Sequence, residues 1–429
     1  MEKATINPRR KRPGAENAAA PFLWARNLVL FCLVFIIPSL GCAAGRSIPV
    51  STALRDPKLS PSPPPSAGRP CVWTDVEKIV AVGDLHGDYE NFVFILKGTG
   101  LIDDGHRWTG GKTHLVQTGD IMDRGDFAKD IFDLIRRLEK EARSAGGMVH
   151  SLIGNHEEMN ILELSFRYGY VTPKQFRSFL PGDYVAAKEA NFKEKAGNGG
   201  DLKKLWEALL NDSDAQRFYT RTFNADYGTW IAQHNAAIKI NDTVFLHAGF
   251  SERFSTWKLE TLNSVLTNEL KRIMDDIENN RPPSLLHARI VYQAEGPLWY
   301  RDLVSKDEAL MEEEFDRILA NLGAKSMVVA HTPTHSAVAL EYMNRFGKRL
   351  FMIDTSISSF MGMENHPSAL IIEKGEFRVW PPEDKAARSG RDARDAHPWA
   401  GGKVNHEKDL SGDHVFFDHR LLWDGSPPF

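Results

Sequence analysis

The chain has 429 residues, with 42% hydrophobic and 26% charged residues and a formal net charge of -4. That composition is ordinary for a folded enzyme and excludes a chain too polar to bury a core. With no basic cluster interleaved with aromatics, a nucleic-acid partner is not expected, and three cysteines leave no room for a disulfide framework.

In chain order, Arg9-Arg10-Lys11-Arg12 and Arg26 precede an apolar run from Leu28 to Ile37 and then Gly41-Cys42-Ala43-Ala44. This pattern predicts a targeting segment over 1–44 and export of the rest of the chain, to the periplasm or to a membrane anchor. Gly41-Cys42 resembles a lipoprotein cleavage box, so a lipid on Cys42, cleavage after Ala44 and an uncleaved anchor all stand as alternatives. Residues 45–71, with Pro61-Ser62-Pro63-Pro64-Pro65, read as an extended tether. A catalytic domain is expected over 72–382 and a polar tail over 383–429.

From Lys78 the pattern becomes strand (Lys78 to Val82), loop, helix (Tyr89 to Leu96), strand (His114 to Gln117), loop, helix (Phe127 to Arg143), strand (Val149 to Ile153) and loop. Such alternation places three loops at one sheet edge. The loops read Gly83-Asp84-Leu85-His86-Gly87, Gly119-Asp120-Ile121-Met122-Asp123-Arg124-Gly125 and Gly154-Asn155-His156-Glu157. Carboxylate, amide oxygen and imidazole are the ligands that hard or borderline divalent ions accept.

The stretch of about 160–235 predicts a helical insertion, with helical spacing in Thr172 to Leu180, Tyr184 to Ala196 and Asp201 to Leu210. Its aromatics, among them Tyr168, Tyr170, Phe176, Phe179, Trp206 and Tyr219, are expected mainly to pack a core. Further strand-like runs, Thr243 to His247 and Ser326 to Ala330, end on His247 and His331. A run from Leu350 to Asp354 and a hairpin from Ala369 to Trp380, turning at Lys374-Gly375, complete the domain. By chemistry, Asp84 and His86 are assigned to one metal, Asn155, His247 and His331 to a second, and Asp120 to both. His106, His150, His234 and His287 are given no site role.

The order Asp-x-His, Gly-Asp-x-x-Asp-Arg-Gly, Gly-Asn-His-Glu, His-Ala-Gly, Ala-His resembles that of phosphoprotein-phosphatase-type members of the calcineurin-like phosphoesterase superfamily. With His247-Ala248-Gly249 and Gly296-Pro297-Leu298-Trp299-Tyr300-Arg301, the chain is most similar to the bacterial Shewanella-like phosphatases. The resemblance implies an α/β fold in which a central two-sheet sandwich is flanked by helices. The ligand set itself reads as a dinuclear centre of manganese, iron or zinc, and with no cysteine near the motifs hydrolysis by solvent is expected.

Chemistry and resemblance agree on His156 as donor of a proton to the leaving oxygen, held charged by Asp123. Arg124 is expected to clamp the phosphoryl oxygens, and Arg301 enters as the second clamp by resemblance. Two arginines and the Glu of Gly-Asn-His-Glu point to a phosphomonoester on protein. The segment Phe351-Met352-Ile353-Asp354-Thr355-Ser356 replaces the Ser-Ala-Pro-Asn-Tyr-Cys loop of Ser/Thr phosphatases, which leans the expectation toward phosphotyrosine. Hydrolysis of dinucleoside polyphosphates or other small phosphoesters is the enzymatic alternative, and non-catalytic binding of a phosphate-bearing ligand the alternative of another class.

Overall fold

Strand formation follows the apolar runs, and each sheet borrows from both ends of the domain. The computed structural model describes residues 69–196, 200–281, 290–334, 340, 343–362 and 365–382. The expected targeting segment and polar tail, nearly all of the tether, and His287 lie outside the described residues. Among those described, no helix is long and apolar enough to cross a membrane.

After β1 (Val72–Trp73) come β2 (Lys78–Val82), α1 (Tyr89–Gly98), β3 (His114–Gln117), α2 (Ala128–Ser144), β4 (Met148–Ser151) and α3 (Asn155–Ile161). β2, β3 and β4 pair in parallel, as the alternation predicts. Their residues are almost all buried, which is why these strands read as continuous apolar runs rather than alternating ones. The expected strands and helices stand within three residues of their predicted bounds.

The insertion contains α4 (Leu164–Arg167), α5 (Pro173–Phe179), α6 (Gly182–Ala196), α7 (Leu202–Leu210), α8 (Ser213–Phe223), a π-helical turn (Asn224–Gly228) and α9 (Thr229–Ile231). Its buried face is aromatic and continuous with the domain core. Phe176 stacks on Tyr219 at 5.2 Å, and Phe179 meets Phe223 and Tyr227 edge-on at 5.2 and 5.0 Å. Full burial of a side chain of this size contributes roughly 1.5–3 kcal/mol, so these rings anchor the insertion.

The second half runs β5 (Ala237–Ile240), β6 (Thr243–Leu246), α10 (Glu252–Ser255), α11 (Leu259–Glu278), α12 (Asp302–Ser305), α13 (Glu308–Leu322), β7 (Ser326–Val329), β8 (Asn344–Arg345), β9 (Leu350–Met352), β10 (Ala369–Glu373) and β11 (Glu376–Trp380). Among the described residues, one sheet has the order β1-β5-β6-β7-β9-β8 and the other β11-β10-β2-β3-β4. The β10–β11 hairpin turns at Lys374 and Gly375, both with positive φ, as a two-residue hairpin turn requires. It adds to the five-stranded sheet through β10 beside β2.

Candidate metal and phosphate site

The loops after β2, β3 and β4 and the residues after β6 and β7 converge at the carboxyl edges of the two sheets. Asp84, Asp120 and Asn155 come from the five-stranded sheet, and His247 and His331 from the six-stranded one; all are buried. The backbone is contorted here. His86, Asp120, Asp123, Arg124 and His331 all have φ between 41° and 71°, a region that non-glycine residues occupy only where surrounding contacts impose it.

Glu157 supplies much of that imposition. Its Oε2 accepts from the N–H groups of Asp120 at 2.8 Å and Gly154 at 2.9 Å, and its Oε1 from Ile121 at 2.8 Å. Gly154 must lack a Cβ, which would lie 2.3 Å from Asp120 Oδ1. Asp120 thereby faces three imidazoles. Oδ1 stands 3.3 Å from His247 Nε2, and Oδ2 stands 3.9 Å from His86 Nε2 and 3.8 Å from His156 Nε2.

Hydrogen bonding fixes the tautomers. His247 Nδ1 donates to the Thr118 carbonyl at 3.0 Å, and His86 Nδ1 to the Met122 carbonyl at 3.1 Å. His86, held neutral, therefore turns a bare Nε2 lone pair toward Asp120, and His247 presents its Nε2 to the same carboxylate. His247 Nε2 also lies 2.8 Å from Asn155 Oδ1 and 3.1 Å from His331 Nδ1. Nitrogen and oxygen atoms gathered this closely form a set that a divalent cation would accept.

The protonation tendencies fit the same group. Burial, with His156 and Arg124 nearby, pushes His86 down to about 3; burial, Arg301 and His247 hold His331 well below the usual histidine range. Both rings are neutral donors at pH 7. Asp84 is raised by burial and by the Asp354 and Asp120 carboxylates, and Asp354 is raised too, first by burial. Buried carboxylates crowded together with imidazole donors fit bound divalent ions. Two triads, His86-Asp120-His156 and Asp120-His247-His331, each bring one donor atom per residue within 4.8 Å of one another, with Asp120 common to both.

His156 is distinguished from His86 by what its other nitrogen touches. Nδ1 donates to Asp123 Oδ2 at 2.7 Å rather than to a neutral carbonyl. Burial lowers the His156 pKa, but Asp120 and Asp123 outweigh it, and the ring holds its proton above the ordinary value. For Asp123, burial raises the pKa, but the bonds from His156, Asn160 and Ser165 more than offset this and keep it ionised. The two arginines flank this ground. Arg124 lies over the Tyr170 ring at 4.9 Å with its Nε buried and without an acceptor, while Arg301 Nη1 donates to the His331 carbonyl and to Thr332 Oγ1, both at 2.9 Å.

The family model for calcineurin-like phosphoesterase matches residues 77–335, more than half of the chain. The chain belongs to the calcineurin-like phosphoesterase family. It is a metal-dependent phosphoesterase. Shewanella-like protein phosphatase 1 of Plasmodium berghei is 28% identical to this phosphoesterase over 307 residues, covering 70% of this chain and 73% of the relative. Shewanella-like protein phosphatase 2 of Arabidopsis thaliana is 34% identical over 209 residues, or 44% of this chain and 50% of that one. A crystal structure of the cold-active protein-tyrosine phosphatase of a psychrophilic Shewanella species superposes with a TM-score of 0.50 at 27% identity, covering 73% of this chain and 80% of that one.

Several residues that the phosphoesterase motifs do not reveal complete the site. Glu157 is legible in sequence only as a motif ending, yet it ties three backbone amides together. Asp354, from the loop after β9, stands beside Asp84. Asn160, Ser165 and Gln175 surround Asp123. Of the others, Asp354 carried a readable signal, a carboxylate directly after an apolar strand, and Asn160, Ser165 and Gln175 carried none. His106 pairs with Tyr89, His150 with His114 and His234 with Glu139, each away from the candidate ligands.

Proposed function

We propose that the enzyme hydrolyses phosphomonoesters on protein, with phosphotyrosine preferred. The observation that carries the monoester reading is the buried Asp123–His156 pair beside Asp120, with Arg124 on its side of the site and Arg301 against His331. Asp84, His86, Asp120, Asn155, His247 and His331 would hold two divalent ions. When bound, those ions supply Lewis acidity and hydroxide from solvent near neutral pH. Arg124 and Arg301 bind and orient the phosphoryl oxygens, and His156 Nε2, with Nδ1 held by Asp123, gives its proton to the departing oxygen.

An aromatic arc supports the preference for an aryl ester. Tyr170 lies 5.0 Å from the His156 ring and 5.7 Å from Tyr168; the Tyr168 and Tyr292 hydroxyls meet at 3.2 Å; Tyr292 lies 5.6 Å from Trp299, and Trp299 5.9 Å from the His331 ring. These four residues are half-buried, so each keeps a face toward its surroundings. They run from the candidate proton donor to a candidate ligand. The name of the tyrosine phosphatase neighbour supports the same preference, and those of the Shewanella-like relatives support protein phosphatase activity in general.

The full chain, stripped of metal and restored with manganese, is to be assayed on phosphotyrosine and phosphoserine peptides and on a dinucleoside tetraphosphate. Release from phosphotyrosine is the expected result; a strong preference for the dinucleotide would overturn the protein-phosphatase reading. We further propose export and membrane tethering, supported by the basic and apolar amino-terminal segment. Recovery of Cys42→Ser in the soluble fraction would support lipidation, while an unchanged distribution would refute it.

A further inference from the structure

The helical insertion is fastened to the loop after β3 where that loop is most contorted. Asp123 and Arg124 are consecutive left-handed residues, with φ of 71° and 67°. Gln175 of α5, fully buried, grips the first of them with both ends of one amide. Its Oε1 accepts from the Asp123 N–H at 2.8 Å, and its Nε2 donates to Asp123 Oδ1 at 2.9 Å. A flipped amide would set NH₂ against N–H and oxygen against carboxylate, so the chemistry fixes its orientation.

Neighbouring bonds set where Gln175 stands. Thr172 Oγ1 accepts from the Gln175 N–H at 3.1 Å, capping α5, and donates to Asp126 Oδ1 at 2.8 Å. The Arg124 N–H donates to the Tyr170 carbonyl at 2.7 Å. On the carboxylate itself, Oδ2 accepts from His156 Nδ1 and from Ser165 Oγ, and Oδ1 from Gln175 and from Asn160 Nδ2. Asn160 Nδ2, however, has three acceptors at 2.9 Å (Asp123 Oδ1, the His156 carbonyl and Ser165 Oγ) for two hydrogens. Gln175 is therefore the dedicated donor to Oδ1.

We propose that Gln175 is a positioning residue through which the insertion orients the Asp123–His156 pair. This rests on the reading of that pair as the leaving-group proton donor. Without Gln175, Oδ1 keeps only the bond that Asn160 shares, the carboxylate turns about Oδ2, and the left-handed turn loses the acceptor for its amide. His156 then no longer aims its Nε2 along one line.

The test compares full-length wild type with Gln175→Met, which keeps volume and loses both bonds, Gln175→Glu, which keeps an acceptor for the Asp123 amide and, once ionised, sets a carboxylate oxygen against Asp123 Oδ1 in place of the donor, and His156→Asn. Each is assayed on aryl phosphates spanning leaving-group pKa, and amide hydrogen exchange at Asp123 is followed without metal. In Gln175→Met we expect exchange at Asp123 at least ten-fold faster, and turnover falling about ten-fold more on poor than on good leaving groups, in the direction shown by His156→Asn. Gln175→Glu should keep the amide protected yet show the same leaving-group dependence, which simple loss of packing does not produce. Equal losses across the series in the Gln175 variants, with His156→Asn still dependent, overturn the proposal alone. A flat series in His156→Asn overturns the proton-donor reading and the proposal with it.

Discussion

At Asp120 one carboxylate faces three imidazoles while its own backbone sits at φ 56°. That placement is maintained by Glu157, whose two oxygens receive three N–H groups. Glu157→Gln turns an NH₂ toward donors and leaves at least one buried amide without an acceptor, a cost of about 1–3 kcal/mol. Chemical denaturation should show that loss, and elemental analysis a reduced metal content. Asp120→Asn should abolish metal-dependent turnover, since it weakens both candidate sites; retained activity would refute the shared-ligand role. Tyr170→Leu should raise KM for a phosphotyrosine peptide roughly 2- to 10-fold, equivalent to about 0.5–1.5 kcal/mol of lost ring contact, with little change on an alkyl phosphate. The candidate ligands are legible because each follows an apolar run and all but His331 sit near a glycine. Glu157 and Gln175 act on residues 36 and 52 positions away as braces, and nothing local distinguishes a brace from any other polar side chain.

Elements reveal themselves when their period is long enough to read. β2, β3 and β4 and the β10–β11 hairpin are legible from apolar runs and a turn dipeptide. β1 is not, because two residues carry no period; it exists by pairing with β5. α11 does carry a helical stripe at Leu259, Leu262, Leu266, Leu270, Ile273 and Ile277, which a motif-led reading passes over. Packing of α1 on the hairpin is equally silent in sequence. A Cβ on Gly98 would fall 1.7 Å from the Trp380 ring. Gly98→Ala should therefore destabilise the fold by about 1–3 kcal/mol despite the better helix former, as thermal unfolding will show. Between β3 and β4, His150 Nε2 and His114 Nδ1 share one hydrogen bond at 3.0 Å. Burial lowers His114 to about 4 and drives His150 well below the usual range. The unfolded chain therefore binds more protons below about pH 6.5. Stability must fall as pH drops from there toward 4, by at most about 1.4 kcal/mol per pH unit for each fully shifted group. His150→Asn should flatten the slope of denaturation midpoint against pH; an unchanged slope would exclude this pair as its cause.

Across the whole molecule, the candidate ligands are divided between two sheets that no single stretch of chain completes. Ions bound there tie one sheet to the other, so their removal should lower the melting temperature as well as activity. At 100 times the dissociation constant, a ligand specific for the folded state contributes about 2.7 kcal/mol; a chelated sample that melts with the loaded one would show that the sheets need no such tie. The two-sheet arrangement came from resemblance, because periodicity predicts strands but not which sheet each joins.

The division also has an order in time. β2 receives its second neighbour, β10, only near the end of the described chain, after every candidate ligand has been synthesised. A ribosome that has just passed His331 has made a full set of metal-binding side chains but leaves the apolar edge of Lys78–Val82 open to the nearest unpaired strand. A message truncated before Ala369 should therefore yield aggregates rather than a weakened enzyme, and quality control should act on the last hairpin sooner than on the metal loops.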